Sequence, residues 1–168
     1  MISPSDILHG KILIVDDQPA NISLLEQMLR REGYDSITST MDSNEIFELH
    51  LKHHYDLILL DLEMPAVAFS GFQAMERLQE IEAEGYLPVI VVAAHPNQKL
   101  KALQAGAKDF IGKPFELAEV LARVRNMLEV RLLYAESKRR INALELKLQE
   151  VEAERDLLLC QRDAGKGE

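Results

Sequence analysis

Short apolar runs alternate with amphipathic segments along most of the chain. Three runs carry no polar residue among their apolar ones, within Lys11–Val15, Asp56–Leu60 and Pro88–Val92. Uninterrupted apolar strands are typical of a sheet that is covered on both faces. Two weaker strand candidates are Tyr34–Thr38 and Asp109–Ile111. The pattern therefore predicts five strands.

Helical spacing of apolar residues separates these runs. The spacing predicts helices over 19–32, 43–53, 72–84 and 97–105, and a fifth helix that begins after Pro114 and continues. Five strands and five helices in strict alternation predict a doubly wound α/β fold with a parallel five-stranded sheet. In such folds, ligands bind beyond the carboxyl ends of the strands.

Charged residues follow the predicted strands at those ends. Asp16 and Asp17 follow the first strand, Asp61 ends the third, and Lys113 follows the fifth. Three carboxylates gathered at one edge repel one another unless a cation joins them, and oxygen ligands favour Mg²⁺. Mg²⁺ and Lys113 would neutralise the oxygens of an incoming phosphoryl group while one carboxylate attacks phosphorus.

Each of these residues taken alone has a plainer explanation. Asp16 and Asp17 can start the following helix, Asp61 can cap a turn, and Lys113 can be a solvated loop lysine. The combination favours a functional site, because an acidic pair, a strand-end Asp and a Lys-Pro pair rarely coincide in these places.

Residues 10–129 resemble the receiver domain of two-component response regulators. The motifs that carry the resemblance are KILIVDDQ, DLILLDLEMP, PVIVVAAH and GAKDFIGKPF. The resemblance implies a flavodoxin-like (βα)5 fold and a phosphoryl group received from a histidine kinase or a phosphotransfer protein. It implies a phosphoacceptor signalling domain rather than a classical enzyme.

The resemblance also implies roles for individual residues. Asp61 matches the phosphoacceptor, and Asp16 and Asp17 match the acidic pair that holds Mg²⁺ together with Asp61 and the backbone carbonyl of Glu63. Lys113 matches the lysine that pairs with the phosphoryl oxygens.

In this family, residues near the carboxyl ends of the last two strands change position on activation. Phe110 matches an aromatic residue that moves between exposed and buried states on activation, and the bond between Lys113 and Pro114 is expected to be cis. Ala93 stands where the family usually has Thr or Ser, whose hydroxyl reaches the phosphoryl group. A hydrogen bond to a charged acceptor contributes roughly 1.5–3 kcal/mol, so its loss should weaken the coupling between phosphorylation and the switch. Phosphorylation of Asp61 itself does not need this hydroxyl, and His95 or a water could substitute.

Two further features set this chain apart. The family tunes phosphoryl lifetime at the positions that Glu63 and His95 occupy here. The stretch from Met64 to Gly71 is longer than usual, and its extra residues within Ala66–Ser70 are either a tolerated insertion or a partner contact or lid over Asp61.

The last predicted helix continues beyond the usual end of a receiver. A heptad register gives the a and d positions Met127, Val130, Tyr134, Ser137, Ile141, Leu144, Leu148, Val151, Arg155 and Leu158, of which only Ser137 and Arg155 are polar. The intervening positions are rich in charge, which fits a two-stranded coiled coil over 130–164. The helix could instead pack back on its own domain. Residues 1–9 form an N-terminal extension and 165–168 a disordered tail in this interpretation.

Composition narrows the class of protein. The chain has 47% hydrophobic and 28% charged residues and a net charge of −9, which disfavours direct binding to nucleic acid. No apolar run reaches the ~20 residues of a membrane span, and the N-terminus lacks a secretory signal. The lone Cys160 cannot form an intrachain disulfide, so we expect a cytoplasmic protein.

Three functions are compatible with these sequence features. The preferred one is a phosphoaccepting receiver with a dimerising coiled coil that controls an output domain not visible in the sequence. The second is a degenerate receiver that acts as a constitutive dimeric scaffold, which Ala93 favours. The third is a Mg²⁺-dependent phosphohydrolase, for which Glu63 is an imperfect second acid and against which the paired acids argue.

Overall fold

A parallel five-stranded sheet forms the centre of the protein. The computed structural model describes residues 1–64, 71–82 and 85–167. The strand order is β2-β1-β3-β4-β5. The strands are β1 (Ile12–Val15), β2 (Ile37–Thr40), β3 (Leu57–Asp61), β4 (Val89–Ala93) and β5 (Asp109–Gly112). All four neighbouring pairs are parallel, which confirms the predicted fold class.

One helix precedes the first strand, four connect successive strands and one follows the last strand. They are α1 (Pro4–Leu8), α2 (Pro19–Arg31), α3 (Ile46–His53), α4 (Gly71–Ile81), α5 (Gln98–Gln104) and α6 (Leu117–Ala164). A short 3-10 turn, Ser43–Glu45, precedes α3. The predicted helix over 72–84 is thus observed as far as Ile81, and residues 83 and 84 lie outside the described part of the chain.

Both faces of the sheet are covered, as the uninterrupted apolar strands predict. Alternate side chains of β1 illustrate this, since Leu13 packs with Tyr55 and Met75 in one cluster while Ile14 packs in another with Leu29. Side chains from α3, α4 and α5 contribute to the first cluster, and side chains from α1, α2 and α6 contribute to the second. These two layers fix the strand register and therefore the positions of the strand ends.

The second strand begins later than predicted. Instead of spanning Tyr34–Thr38 it starts at Ile37. Gly33 has φ +102°, and the Tyr34 amide donates a hydrogen bond to the Leu29 carbonyl, so this part of the chain closes the end of α2. The buried tyrosine is held by the helix cap rather than by the sheet.

The N-terminal extension contains a helix that the hydrophobic pattern did not predict. Ser3 caps α1, because its hydroxyl accepts from the Asp6 amide at 3.1 Å while the Asp6 carboxylate accepts from the Ser3 amide at 2.7 Å. This reciprocal capping box, with Pro4 in the first turn, was the available signal. Ile7 is buried, so α1 adds an apolar side chain to the core.

The described chain divides into two compact units, Met1–Leu133 and Tyr134–Glu168. Val120, Val124 and Leu128 of α6 are buried in the first unit. The described part of the second unit is helical up to Ala164. No helix within the described ranges combines the length and apolarity that a membrane crossing requires.

Candidate functional site

The three acidic residues predicted at the strand ends lie together. Val15 of β1 is paired with Leu60 of β3, so Asp16 and Asp61 are brought side by side where the two strands end. Asp16, Asp17 and Asp61 each offer a carboxylate oxygen within 4.8 Å of the others. Asp16 and Asp61 are both buried, with 3% of each residue exposed. The parallel register therefore creates the acidic edge.

The start of α2 holds one member of this cluster. The Gln18 amide donates to Asp16 Oδ1 at 2.8 Å, and the Asn21 side-chain amide donates to Asp16 Oδ2 at 3.2 Å. Asp17 differs from Asp16, because its Oδ1 is buried and has no hydrogen-bond partner among the described residues. An anionic oxygen left without a donor beside two other carboxylates is suited to a cation.

Lys113 provides the positive charge of the site. Its Nζ lies 3.1 Å from Asp61 Oδ2 and 3.5 Å from Asp16 Oδ2. Its backbone amide donates to the Ala93 carbonyl at 2.9 Å, which extends the β4–β5 pairing. The bond between Lys113 and Pro114 is cis, as expected. One ammonium group thus faces two of the three carboxylates.

Burial and charge shift the protonation of this site. Burial raises the pKa of Asp61, and Asp16 adds to that increase, whereas a hydrogen bond from the Glu63 amide and the charge of Lys113 oppose it. Burial alone would lower the pKa of Lys113, but the contacts with Asp61 and Asp16 outweigh it and raise that pKa. Without a further cation, the carboxylate charge of Asp61 is therefore disfavoured in the folded protein, and Lys113 stays protonated.

The acidic cluster fits a magnesium ion. Three converging carboxylates are hard oxygen ligands of the kind that Mg²⁺ uses, and Asp17 Oδ1 leaves one anionic oxygen without a donor among the described residues. Lys113 balances one charge of the three, so the cluster keeps a negative excess that a divalent ion would neutralise. The family resemblance also implies the Glu63 carbonyl as a ligand of this ion, which stays a prediction.

The predicted switch residues lie next to this edge. Ala93, the last residue of β4, is fully buried and carries no hydroxyl. Phe110 of β5 is buried and packs in the same apolar cluster as Ala93. The long loop predicted over Ala66–Ser70 lies outside the described residues.

Sequence reasoning missed a set of contacts made by the Glu63 side chain. The Ala94 amide donates to Glu63 Oε1 at 3.2 Å, and His95 Nε2 lies 3.4 Å from the same oxygen. Asn21 was also missed as a partner of Asp16. An Asn at the start of α2 was the only signal for the second contact, and no short motif signals the first, because it joins residues 31 positions apart.

Comparison with known proteins supplies a family match. The model of the response regulator receiver domain matches residues 12–125. The response regulator PleD of Caulobacter vibrioides is 31% identical over 135 residues, which are 79% of this chain and 29% of that protein. The response regulator GtcR of Aneurinibacillus migulanus is 40% identical over 119 residues, which are 70% of this chain and 47% of that protein. This chain therefore spans less than half the length of these curated relatives.

A solved structure of a receiver domain matches the fold. The receiver domain of the sensor histidine kinase PA1611 from Pseudomonas aeruginosa aligns with 72% of this chain and 98% of its own chain, at a TM-score of 0.64 and 30% identity. That structure has a magnesium ion coordinated in its active-site cleft.

Proposed function

Because the chain belongs to the response regulator receiver family, we propose that it accepts a phosphoryl group on Asp61 in two-component phosphorelay signalling. Receiver domains are signalling domains that interact with histidine kinases or phosphotransfer proteins. The observation that carries the assignment to Asp61 is its position at the end of β3, with Lys113 Nζ at 3.1 Å and two further carboxylates beside it. Asp16 shares these neighbours, but its Oδ2 lies farther from Lys113 Nζ, at 3.5 Å, and both of its oxygens accept hydrogen bonds from Gln18 and Asn21.

The proposed reaction is a transfer from a phosphohistidine of the partner. A carboxylate oxygen of Asp61 forms a bond to phosphorus, the phosphorus–nitrogen bond breaks, and its electron pair returns to the imidazole nitrogen. Lys113 places a protonated amine against the accepting carboxylate and so opposes the negative charge that gathers on the phosphoryl oxygens. Burial of Asp61 limits water near the acyl phosphate.

Magnesium would be held by Asp16, Asp17 and Asp61, with the Glu63 carbonyl as a further ligand. When bound, such an ion neutralises phosphoryl oxygens and orients the group for in-line transfer. The hydrogen bonds from Gln18 and Asn21 to Asp16 fix one ligand in place. The protein is then a phosphoacceptor whose only reactions are its own phosphorylation and dephosphorylation.

We extend the proposal to a coiled-coil homodimer formed by residues 130–164, following a receiver at 10–129. The exposed apolar residues of this segment support it, since they follow the predicted heptad. They are Val130, Tyr134, Ile141, Leu144, Leu148, Val151 and Leu158, each between 37% and 65% exposed. Met127, the first position of that heptad, packs instead against the core of the first unit.

The charges beside the heptad favour two parallel helices in register. In that arrangement each g residue faces the e residue five positions later on the partner. Arg140 would then face Glu145 of the second copy, and Lys147 would face Glu152, which gives four attractive pairs per dimer and no repulsive one among these positions. A shift by one heptad would place Arg140 against Lys138 and Glu154 against Glu152, so like charges would oppose each other.

The remaining parts of the proposal rest on the family and the composition. Phosphorylation would shift the loop after β4 together with Phe110, and the helix that follows would pass the change to an output domain or downstream protein. A cytoplasmic location and the absence of direct contact with nucleic acid stay predictions.

A scaffold function is the second candidate, and one observation favours it. Ala93 is fully buried at the position of the usual switch hydroxyl, so nothing on that side chain can bond to a phosphoryl oxygen. In this case the dimer would be constitutive and indifferent to the state of Asp61.

Incubation of the full chain with Mg²⁺ and acetyl phosphate tests the phosphoacceptor. Intact mass spectrometry should show one phosphoryl adduct on the wild type and none on Asp61→Asn. Light scattering on the same samples separates the two candidates, because a receiver switch changes the mass or hydrodynamic size and a scaffold does not. An unmodified wild type would refute the phosphoacceptor role.

Two leucines on the same helix test the coiled coil. Leu148 lies at a heptad core position and Leu146 does not, although both are well exposed in the single chain, at 57% and 62%. Leu148→Asp should give a monomer by light scattering, whereas Leu146→Asp should leave the dimer intact. A monomeric wild type, or equal effects of the two substitutions, would contradict the assignment.

A further inference from the structure

The side chain of Glu63 reaches across the mouth of the candidate site to the neighbouring strand. Its Oε1 accepts the Ala94 amide hydrogen at 3.2 Å and lies 3.4 Å from His95 Nε2. The backbone of the same residue points the other way, because the Glu63 amide donates to Asp61 Oδ1 at 2.9 Å. One residue therefore contacts both Asp61 and the first backbone amide beyond β4.

The Ala94 amide is directed to the side of the sheet on which Asp61 lies. The Ala93 carbonyl accepts from Lys113 on the β5 side, and successive residues of a parallel strand direct their polar groups to opposite neighbours. The next amide therefore faces β3, where Asp61 is paired with Val92 in the strand register. The contact with the Glu63 carboxylate shows that this amide already binds an anionic oxygen.

A phosphoryl group on Asp61 needs hydrogen-bond donors for its oxygens at this same edge. Lys113 supplies one, and Ala93 supplies none because it lacks a hydroxyl. The Ala94 amide is a main-chain donor on that side of β4, so its availability matters more here than it would beside a threonine or serine.

We propose that the Glu63 carboxylate is an internal competitor of the phosphoryl group: it occupies the Ala94 amide in the unmodified protein and must leave before that amide can bind a phosphoryl oxygen. This inference rests on the proposed phosphoacceptor role of Asp61. His95 strengthens the competition by giving the same carboxylate oxygen a second contact. Glu63 is thus a positioning residue that sets how readily the site accepts an anion.

The Glu63 carboxylate opposes the phosphoryl group in two ways, by occupying the Ala94 amide and by its negative charge. A carboxylate 30% exposed at the mouth of the site can swing outward when a phosphoryl oxygen takes its place. Its negative charge also repels an approaching dianion, so contact and charge must be separated by experiment. Three variants of Glu63 do this, and all of them keep the backbone carbonyl and amide of residue 63.

The test is the affinity of the full chain for beryllium trifluoride in saturating Mg²⁺, measured by fluorine NMR for the wild type and for Glu63→Ala, Glu63→Asp and Glu63→Gln. Glu63→Ala frees the amide, so we expect affinity to rise about tenfold, the lower end of the range for one hydrogen bond to a charged acceptor. Glu63→Asp keeps the charge but is one methylene too short to hold the contact, and we expect it to bind almost as tightly as Glu63→Ala. Glu63→Gln keeps a neutral acceptor on the amide, so we expect an intermediate affinity.

The outcomes distinguish this inference from the function on which it rests. Equal affinity of the wild type and Glu63→Ala would overturn the competition while leaving the phosphoacceptor intact. A gain for Glu63→Ala with none for Glu63→Asp would show that charge alone acts, and would also overturn it. If no form bound beryllium trifluoride, including those with the amide free, the phosphoacceptor role itself would fail. Titration of Mg²⁺ alone into each variant shows whether metal affinity contributes to any difference.

Discussion

Replacing Asp17 by asparagine should stabilise the protein in the absence of divalent cations. Asp17 Oδ1 is buried without a hydrogen-bond partner among the described residues, and oxygens of Asp16 and Asp61 lie within 4.8 Å. Lys113 contacts the other two carboxylates by salt bridge. Asp17 therefore adds charge repulsion to the metal-free site. No described contact with Lys113 compensates for this repulsion.

The size of this effect follows from the separation of the charges. Two unit charges 4.8 Å apart repel each other by about 3.5 kcal/mol at an effective dielectric constant of about 20. Lys113 and solvent at the mouth of the site offset most of this, so we expect a net gain of about 1 kcal/mol in the free energy of unfolding. For a unit of this size that gain raises Tm by about 4 °C.

Thermal denaturation in EDTA and in saturating Mg²⁺ provides the assay. A ligand that binds only the folded state raises stability, so Mg²⁺ should raise the Tm of the wild type and should raise that of Asp17→Asn much less. The order of the two proteins is then expected to reverse between the two buffers. Asp163→Asn, which alters an exposed carboxylate in the last turn of α6, is the control and should leave both values unchanged.

Two results would refute this reasoning. A lower Tm of Asp17→Asn in EDTA would mean that the carboxylate is stabilised by the apo site rather than repelled. An undiminished response to Mg²⁺ would mean that Asp17 does not hold the ion. Both proteins must be compared at one concentration, because a dimer makes Tm depend on concentration.

Three further substitutions have defined expectations. His50→Leu should lower the free energy of unfolding by about 2–3 kcal/mol in urea denaturation. The reason is that the buried His50 ring accepts a hydrogen bond from the Tyr55 amide and contacts Glu82 at 2.8 Å. His53→Leu is the control and should lower the free energy of unfolding by less. Gly106→Ala should cost about 1–3 kcal/mol, since φ is +109° and a Cβ would meet the Gln79 side chain; the cost should persist in a Gln79→Ala background, where only the backbone strain remains. Ala93→Thr should increase the phosphorylation-dependent change in hydrodynamic size, and an unchanged response would contradict the role assigned to the missing hydroxyl.

The strands of the sheet were predictable because their physical cause is local. The apolar runs that became β1, β3 and β4 are buried on both faces, and burial of that kind leaves a continuous apolar pattern in the sequence. The second strand has intermediate burial over most of its length and a mixed sequence, so its start was misplaced. Its true start depends on the cap of α2, which is a tertiary feature of the chain.

The acidic residues of the site were also predictable, whereas their partners were not. Asp16, Asp17 and Asp61 follow from the rule that parallel strands end at one edge, and the structure brings them together. The contact between Glu63 and the Ala94 amide depends on a side-chain rotamer and on the spacing of two loops. Neither quantity is encoded in a periodic pattern, so the structure was needed to reveal it.

Helix α1 determines where the N-terminal boundary of this receiver should be placed in a chimeric protein. The family model begins at residue 12, yet Ile7 is only 5% exposed and packs in the same cluster as Leu128. The close fit continues at Gly10, where an added Cβ would lie 2.9 Å from a Leu128 methyl carbon. A fusion junction placed at residue 12 would remove the Ile7 side chain from the core. A junction ahead of Ser3 would keep both the capping box of α1 and the packing of Ile7 against the core.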